Sequence, residues 1–520
     1  MRDSLMIVVI TTGWSAAACN TKVLRFDAVG GEPAFDCPAA PDWLPETAAP
    51  SLAQPAGHPQ TECPFYQASF QHFLRVTQPA ANGDPVLVTY STIDDAFIHS
   101  PPLADGVLAA AGTHRGTPAR AWLRDIRQPG NPGIAIDRFG HAIYYGLHLN
   151  QAFLDFIASQ GLTTPAGILA ADPGLTLPPE VLAIKSAWMD IDPADGVSGD
   201  FSGFITTDAW VSWIRDDPTT GIVADADHPR QIRVALVALD LAFGLPGHPE
   251  LIRASFGHVN PSGAPDVTPN NTVNADPSSG DPLNQMATWP ISMDDLLLYR
   301  GGTPAYQANR AFDDSALSLD ENAQLFAQTT SIYRMFVASR SHTTSERSEI
   351  KMLNQHVSAL FAERAAELSA ADQRGSYRLL GALWMDKPTY FAVDSALQND
   401  QTSPFLQPGQ HLDQQGNVVG PVTVKTLSQS IAAEGTDSPY SILAGQDRLS
   451  NPAIESFTQG PGLFANCLGC HNTGAVAPSG VPAANSKFEP VLLPPKLINV
   501  SRVFSQYLVE ECGASGTCAP

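Results

Sequence analysis

Positive charge is scarce in this chain. Against 52 Asp and Glu stand only 29 Lys and Arg, and the formal net charge is −23. An anionic partner would be repelled by such a surface, so neither nucleic acid nor an anionic membrane surface is an expected partner. Long apolar runs are also missing. Beyond the extreme N-terminus, no stretch is long and apolar enough to span a bilayer, and no transmembrane helix is expected in the mature chain. No phosphate-binding glycine loop follows an apolar run, and neither G-x-S-x-G nor H-E-x-x-H occurs. Those absences remove the motif-based cases for a nucleotide hydrolase, a serine esterase and a zinc peptidase.

Cysteine is sparse but ordered: seven in 520 residues. Two of them stand in Cys467-Leu468-Gly469-Cys470-His471, a C-x-x-C-H run. This is the attachment pattern of a c-type haem. Two thiols at that spacing add across the two vinyl groups of a porphyrin, and the His after the second Cys ligates the iron. A thioredoxin-type motif belongs early in a βαβ unit, and this run lies in a Gly/Asn-rich segment near the end of the chain. A zinc half-site needs further clustered Cys or His, and no His follows His471. One haem c on Cys467, Cys470 and His471 is therefore expected, with His471 as the metal ligand.

The second half of such a site is not where it is usually found. The last Met is Met385, so no downstream Met is present to ligate the iron. Three alternatives stay open. A residue of the large upstream region reaches the iron, and Met352 and His356, at i and i+4 of an expected helix, are the suggestive pair. The sixth position is open to a small ligand or peroxide. Or Tyr507, Lys496 or Asn499 supplies it from the segment after the motif.

The remaining cysteines fit an oxidising compartment. Cys37, Cys63, Cys512 and Cys518 make two disulfides possible, and sequence order favours Cys37–Cys63 and Cys512–Cys518. The N-terminus reads as an export signal: Arg2, the apolar Leu5–Ile10, then Ala16-Ala17-Ala18 before Cys19. The arrangement resembles a lipoprotein box, with Ala16 in place of the usual large aliphatic residue, so lipid on Cys19 is an expectation. The protein is placed in the periplasm or cell envelope.

The order of the chain follows from composition and periodicity. Residues 1–19 are the signal, and 20–60 are a Pro/Ala-rich tether. Residues 61–396 are an α+β main region: a mainly antiparallel sheet with packed helices. A polar linker spans 397–440, and 441–520 are a small all-α, cytochrome c-like haem region. Tyr66, Phe70, Phe73 and Leu74 mark a helix, with His72 beside its apolar face. Asn82–Pro85 is a turn, Val86–Tyr90 a strand and Ile93–Phe97 a helical turn. Ala142–Leu149 is a strand, and Asn150 caps the helix that follows. Leu182–Met189, Phe204–Ile214, Ile232–Phe243, Leu251–Val259 and Tyr377–Trp384 read as strands. The nearly all-apolar Ile232–Phe243 is expected at the centre, buried on both faces. Ile332–Ala338 is a further candidate strand. Leu353, Val357, Leu360 and Phe361 mark a helix. A helix is expected near Asn451-Pro452-Ala453, and another over Lys496–Leu508.

Other polar groups form no recognisable catalytic set. His258 ends a strand. His141 and His148 flank another, and as metal ligands they would need a carboxylate such as Asp137 or Asp190. Asp190–Gly196 loosely resembles a calcium loop but lacks the later ligands, which reads as a solvated turn.

Several segments together resemble a group of large exported bacterial cytochrome c family proteins. They are Phe70–Pro79, Tyr144–Asn150, Ile184–Trp188, Ser255–Val259, Asn354–Trp384 and Asn466–His471. The resemblance implies a large mixed N-terminal region followed by one C-terminal haem, and it implies no particular reaction. Three functions are compatible with these readings. One is electron transfer to a redox partner. Another is a haem oxidoreductase acting on a small molecule or peroxide. The third is an extracellular ligand-binding module carrying a redox haem.

Overall fold

The computed structural model describes residues 37–44, 62–98, 121–128, 133–172, 174–246, 248–259, 267–268, 296–303, 307–333, 344–365, 372–385, 411–412, 418–419, 443–445, 449–451, 453–458, 467, 471 and 496–515. Phe35–Pro520 form one compact unit.

A nine-stranded sheet organises this unit. Its strands are β1 (Ser91–Thr92), β2 (Ala121–Leu123), β3 (Tyr144–Leu149), β4 (Leu182–Asp190), β5 (Thr206–Asp217), β6 (Gly221–Leu245), β7 (His248–His258), β8 (Tyr377–Met385) and β9 (Leu443–Gly445). The order is β1-β3-β4-β6-β7-β8-β9, and β5 lies along the first half of β6. All pairings are antiparallel except β2 with β5. The sheet curls, and β2 reaches back to β3 through a bridge in which Tyr145 N–H donates to the Asp125 carbonyl at 2.8 Å. The fold is α+β on a mainly antiparallel, nearly barrel-shaped sheet.

The strands follow the expected pattern. Ile232–Phe243 is the centre, paired on both sides by β4 and β7, and Val234–Leu239 are wholly buried. Alternation then splits each central strand between two faces. On one face lie α1 (Cys63–Val76) and α5 (Thr344–Ala365), whose stripes Phe70/Phe73 and Leu353/Val357 join Phe256, Tyr377 and Trp384 in one core. On the other face the apolar cover is divided. A cluster around Leu149, Phe153, Phe504 and Tyr507 sits at one end. A second, around Met189, Val237, Ile332 and Ile454, sits at the other.

Local signals held where they were strongest. Asn150 caps α3 (Gln151–Ser159), its side chain accepting from Phe153 N–H at 3.1 Å. Gly83, at φ 88°, occupies the turn expected at Asn82–Pro85, and Gly140, at φ 93°, occupies another before β3. The one-turn α2 (Ile93–Ala96) has a capping box between Thr92 and Asp95. Other expectations need correction. Val86–Thr89 is a 3-10 turn, not a strand; it follows Pro85 and pairs with no strand among the described residues. Ile332 and Tyr333 are not in a strand, and residues 334–338 lie outside the described ones. The helix expected near Asn451–Ala453 is a bend followed by a 3-10 turn at Ser456–Thr458. The helix expected over Lys496–Leu508 is broken at Ser501 into a 3-10 turn, Leu497–Val500, and α6 (Arg502–Ser515).

Described residues on both sides of the main region pack against it. Trp43 and Leu44 fall within the stretch read as a tether, yet both are buried in the core. Cys37 is bonded to Cys63, which fastens them to the start of α1. Among the described residues of 441–520, β9 pairs with β8, and α6 shares a core with α3. The linker expected at 397–440 is described only as a ribbon pairing 411–412 with 418–419. Cys19, Cys518 and the signal lie outside the described residues. Among the described residues no helix is long and apolar enough to cross a membrane.

Where α5 meets α1 two acids are crowded. Glu349 accepts from Glu62 N–H at 3.1 Å, and Gly445 N–H donates to the Glu62 carboxylate at 3.0 Å. Burial, and then the Glu62 charge, push Glu349 up to about 7. The folded chain therefore holds this proton more tightly than the unfolded chain does. Its contribution is present below the unfolded value and lost as pH rises through about 7. Glu349→Gln should remove that dependence and raise stability at pH 8 by about 2–3 kcal/mol while changing little at pH 4. Urea unfolding at both pH values checks this.

Candidate functional site

A row of polar side chains crosses the divided face of the sheet. In the register of β3, β4, β6 and β7, Leu147 stands opposite Lys185, Lys185 opposite Asp240, and Asp240 opposite Ser255. Opposed residues in antiparallel strands project to the same side. One step along, Ala183, Ala242 and Arg253 make the next row. These two rows lie between the apolar clusters and form the floor of a cavity of about 160 Å³. Trp122, Arg124 and Tyr145 line it from the curled edge, and Ile454, Glu455, Arg502 and Gln506 from the C-terminal segment.

Cys467 and His471 line the same cavity. They occupy one turn of backbone, in which His471 N–H donates to the Cys467 carbonyl at 2.8 Å. Both side chains are half-buried. The His471 ring meets the Val500 carbonyl through Nδ1 at 3.1 Å. A carbonyl only accepts, so Nδ1 carries the proton and Nε2 carries the lone pair. Burial drives the imidazole pKa well below its ordinary value, with Arg253, Arg502 and Lys185 adding to the effect. The ring is thus a neutral, oriented base at neutral pH, which is the form that ligates a metal. Cys470 lies outside the described residues.

The C-terminal segment is fastened to the polar rows by specific bonds. Asn451 donates to the Asp240 carboxylate at 2.9 Å and to the Ser255 hydroxyl at 2.7 Å, and it accepts from Ala453 and Ile454 N–H at 2.9 Å each. Lys185 pairs with Glu455 at 2.5 Å. The Tyr145 hydroxyl donates to the Ala453 carbonyl at 2.7 Å. Arg253 donates to the Val500 carbonyl at 2.5 Å, the same oxygen that meets His471. Arg124 bonds Asp94 and Glu510, joining α2 to α6. Asp240 is half-buried, and burial raises its carboxyl to about 6. Burial likewise draws Arg253 down to about 10.

The candidates for the second iron ligand fall elsewhere. Met352 and His356 are on α5, on the opposite face, and His356 Nδ1 donates to the Cys37 carbonyl at 3.1 Å. Lys496 is consumed structurally: its ammonium donates to the carbonyls of Ile168, Leu169 and Ala171 at 3.0, 2.7 and 2.6 Å, closing the C-terminus of α4 (Pro165–Ala170). Tyr507 stacks on Phe97 at 4.2 Å, and its hydroxyl donates to the Ile98 carbonyl. Asn499 is buried in the 3-10 turn. None of these five lines the cavity.

Among the described residues the other histidines assemble no metal site. His72 packs tilted against Phe243, with ring centroids 4.3 Å apart. His258 closes β7, with Nε2 donating to the Gly203 carbonyl at 3.1 Å. His141 lies in the field of Asp195 and Arg230, whereas His148 is buried against Gly146. Asp190 is held by Arg230 at 3.1 Å, and its Oδ1 accepts from Asp192 N–H. Asp192 caps the turn before Gly196 in the loop that resembled a calcium site. Among the described residues no three of His, Cys, Asp and Glu converge on a metal position.

Sequence reading located the motif but not its surroundings. Lys185, Asp240, Arg253 and Ser255 are polar residues set among apolar neighbours in the central strands. That is the signal by which they were findable, because a buried strand retains a charge only where something matches it. No family model, curated protein or solved structure matches the chain.

Proposed function

We propose that this chain is an exported redox protein that carries one covalently attached haem c and passes single electrons to a partner protein. The reading rests on the Cys467–His471 turn, set on the wall of a cavity with the His471 imidazole held as a neutral base. Cys467 and Cys470 would hold the porphyrin through thioethers, and His471 Nε2 would ligate the iron. When bound, the haem supplies a one-electron ferric/ferrous couple. The chain's own contribution is orientation and shielding. Val500 fixes the imidazole tautomer, and Arg253 steadies that carbonyl. Asn451 and the Lys185–Glu455 pair hold the segment against the sheet. Residues 441–520 are then the haem-carrying region, in the manner of the exported cytochrome c family proteins that the sequence resembles. The net charge of −23 suits a basic redox partner. Export, with a lipid on Cys19, belongs to the same proposal.

One observation favours a second reading, an oxidoreductase acting on a small molecule or peroxide: a cavity of about 160 Å³ adjoins His471. Absorption spectra of the purified protein, ferric and ferrous, with and without CO, separate the two. Electron transfer predicts a six-coordinate low-spin spectrum indifferent to CO. A high-spin ferric spectrum that takes up CO on reduction would overturn it in favour of the oxidoreductase.

A further inference from the structure

Arg253 stands out on the cavity wall. It is 7% exposed and lines the space between the sheet and Cys467. A guanidinium has five N–H donors. Among the described residues the Val500 carbonyl is its hydrogen-bond acceptor, and its Nε is buried without a partner. No carboxylate of the described residues is within ion-pair distance. Two neighbouring cations are matched, Lys185 by Glu455 and Arg124 by Asp94 and Glu510. A buried guanidinium left this incompletely satisfied is costly, and proteins keep such a group where an anion completes it.

We propose that Arg253 anchors an anion site in this cavity and that the anion is a carboxylate. The planar fork matches a carboxylate in two parallel bonds. Asp240 and Glu455 line the same cavity, and their charge disfavours a dianion such as phosphate. Trp122, Leu147 and Ala242 provide an apolar wall for the body of the ligand. Two sources carry this chemistry: a propionate of the bound haem, which rests on the function proposed above, or a small organic acid admitted to the cavity, which does not.

The test uses the purified full chain, with Arg253→Gln and Arg253→Lys beside the wild type. Acetate, benzoate and inorganic phosphate are titrated calorimetrically, and the midpoint potential is measured. An organic acid as ligand gives saturable uptake of acetate or benzoate, little of phosphate, and at least tenfold weaker uptake in Arg253→Gln. A propionate as ligand gives no acid uptake. The potential then falls in Arg253→Gln, because a lost cation favours the ferric state, and Arg253→Lys restores part of it. Should neither variant fold, the wild type still decides. A propionate bending mode displaced from its solvated position in the resonance Raman spectrum supports the proposal, as does acid uptake. A solvated mode without acid uptake overturns it. If the protein proves to carry no covalent haem, the function above falls, and the titration alone judges Arg253: absence of binding overturns the site.

Discussion

Replacing Cys467 and Cys470 together by Ser should abolish covalent haem. The effect is expected to be all-or-none on a haem-stained denaturing gel, because a hydroxyl does not form the thioether and denaturation strips any haem held only by contacts. The fold should survive. Cys467 is half-buried at the edge of the apolar cluster around Leu149 and Phe504, so exchanging sulfur for oxygen there removes little packing. Unfolding should stay within about 1 kcal/mol of the wild type apart from the stabilisation lent by the haem itself. Persistent stain in the double variant would refute attachment at this turn.

Asn451→Leu should be the most damaging single change to the frame of the site. Asn451 is 4% exposed, and each end of its amide is used. The NH2 group supplies Asp240 and Ser255, and the oxygen caps Ala453 and Ile454 N–H. Leucine fills the volume but leaves two N–H groups, a hydroxyl and a carboxylate short of partners. Each such loss in a buried setting costs about 1–3 kcal/mol before relaxation, so a fall of about 3–5 kcal/mol in unfolding free energy is expected. Asn451→Asp retains the acceptor yet sets a carboxylate against Asp240. It should destabilise less at pH 5 than at pH 8, since Asp240 carries its proton below about 6. Urea unfolding of both variants measures this. A loss under about 1 kcal/mol for Asn451→Leu would mean that the segment is held otherwise.

The parts of the molecule legible in the sequence were those governed by local physics. The nearly continuous apolar run Ile232–Phe243 set it at the centre of the sheet, and Tyr66, Phe70 and Phe73 revealed a helix one face of which had to be buried. Asn150 announced a cap. Val86–Thr89 misled because β-branched residues favour a strand only when a neighbouring strand pairs with them, and none of the described strands does. Lys496 looked like a ligand near the motif. Its role was set by the carbonyl end of α4, far away in sequence, where a buried ammonium has its donors met. Of the site, Cys467 and His471 were visible because their spacing is itself the chemistry. Lys185, Asp240, Arg253 and Ser255 meet only through strand register, and register across β4, β6 and β7 is a long-range property that no short pattern encodes. The joining of 441–520 to the main sheet was hidden for the same reason: β9 is three residues long and reads as a strand only beside β8.

The account turns on whether the Cys467–His471 turn carries haem covalently. Intact mass of the denatured protein, purified from a host that matures c-type cytochromes, addresses this most directly. The account predicts a mass one haem above that of the polypeptide, localised by peptide mapping to the segment that holds Cys467 and Cys470. A protein of bare polypeptide mass, from a host in which a control cytochrome c is fully loaded, would contradict it.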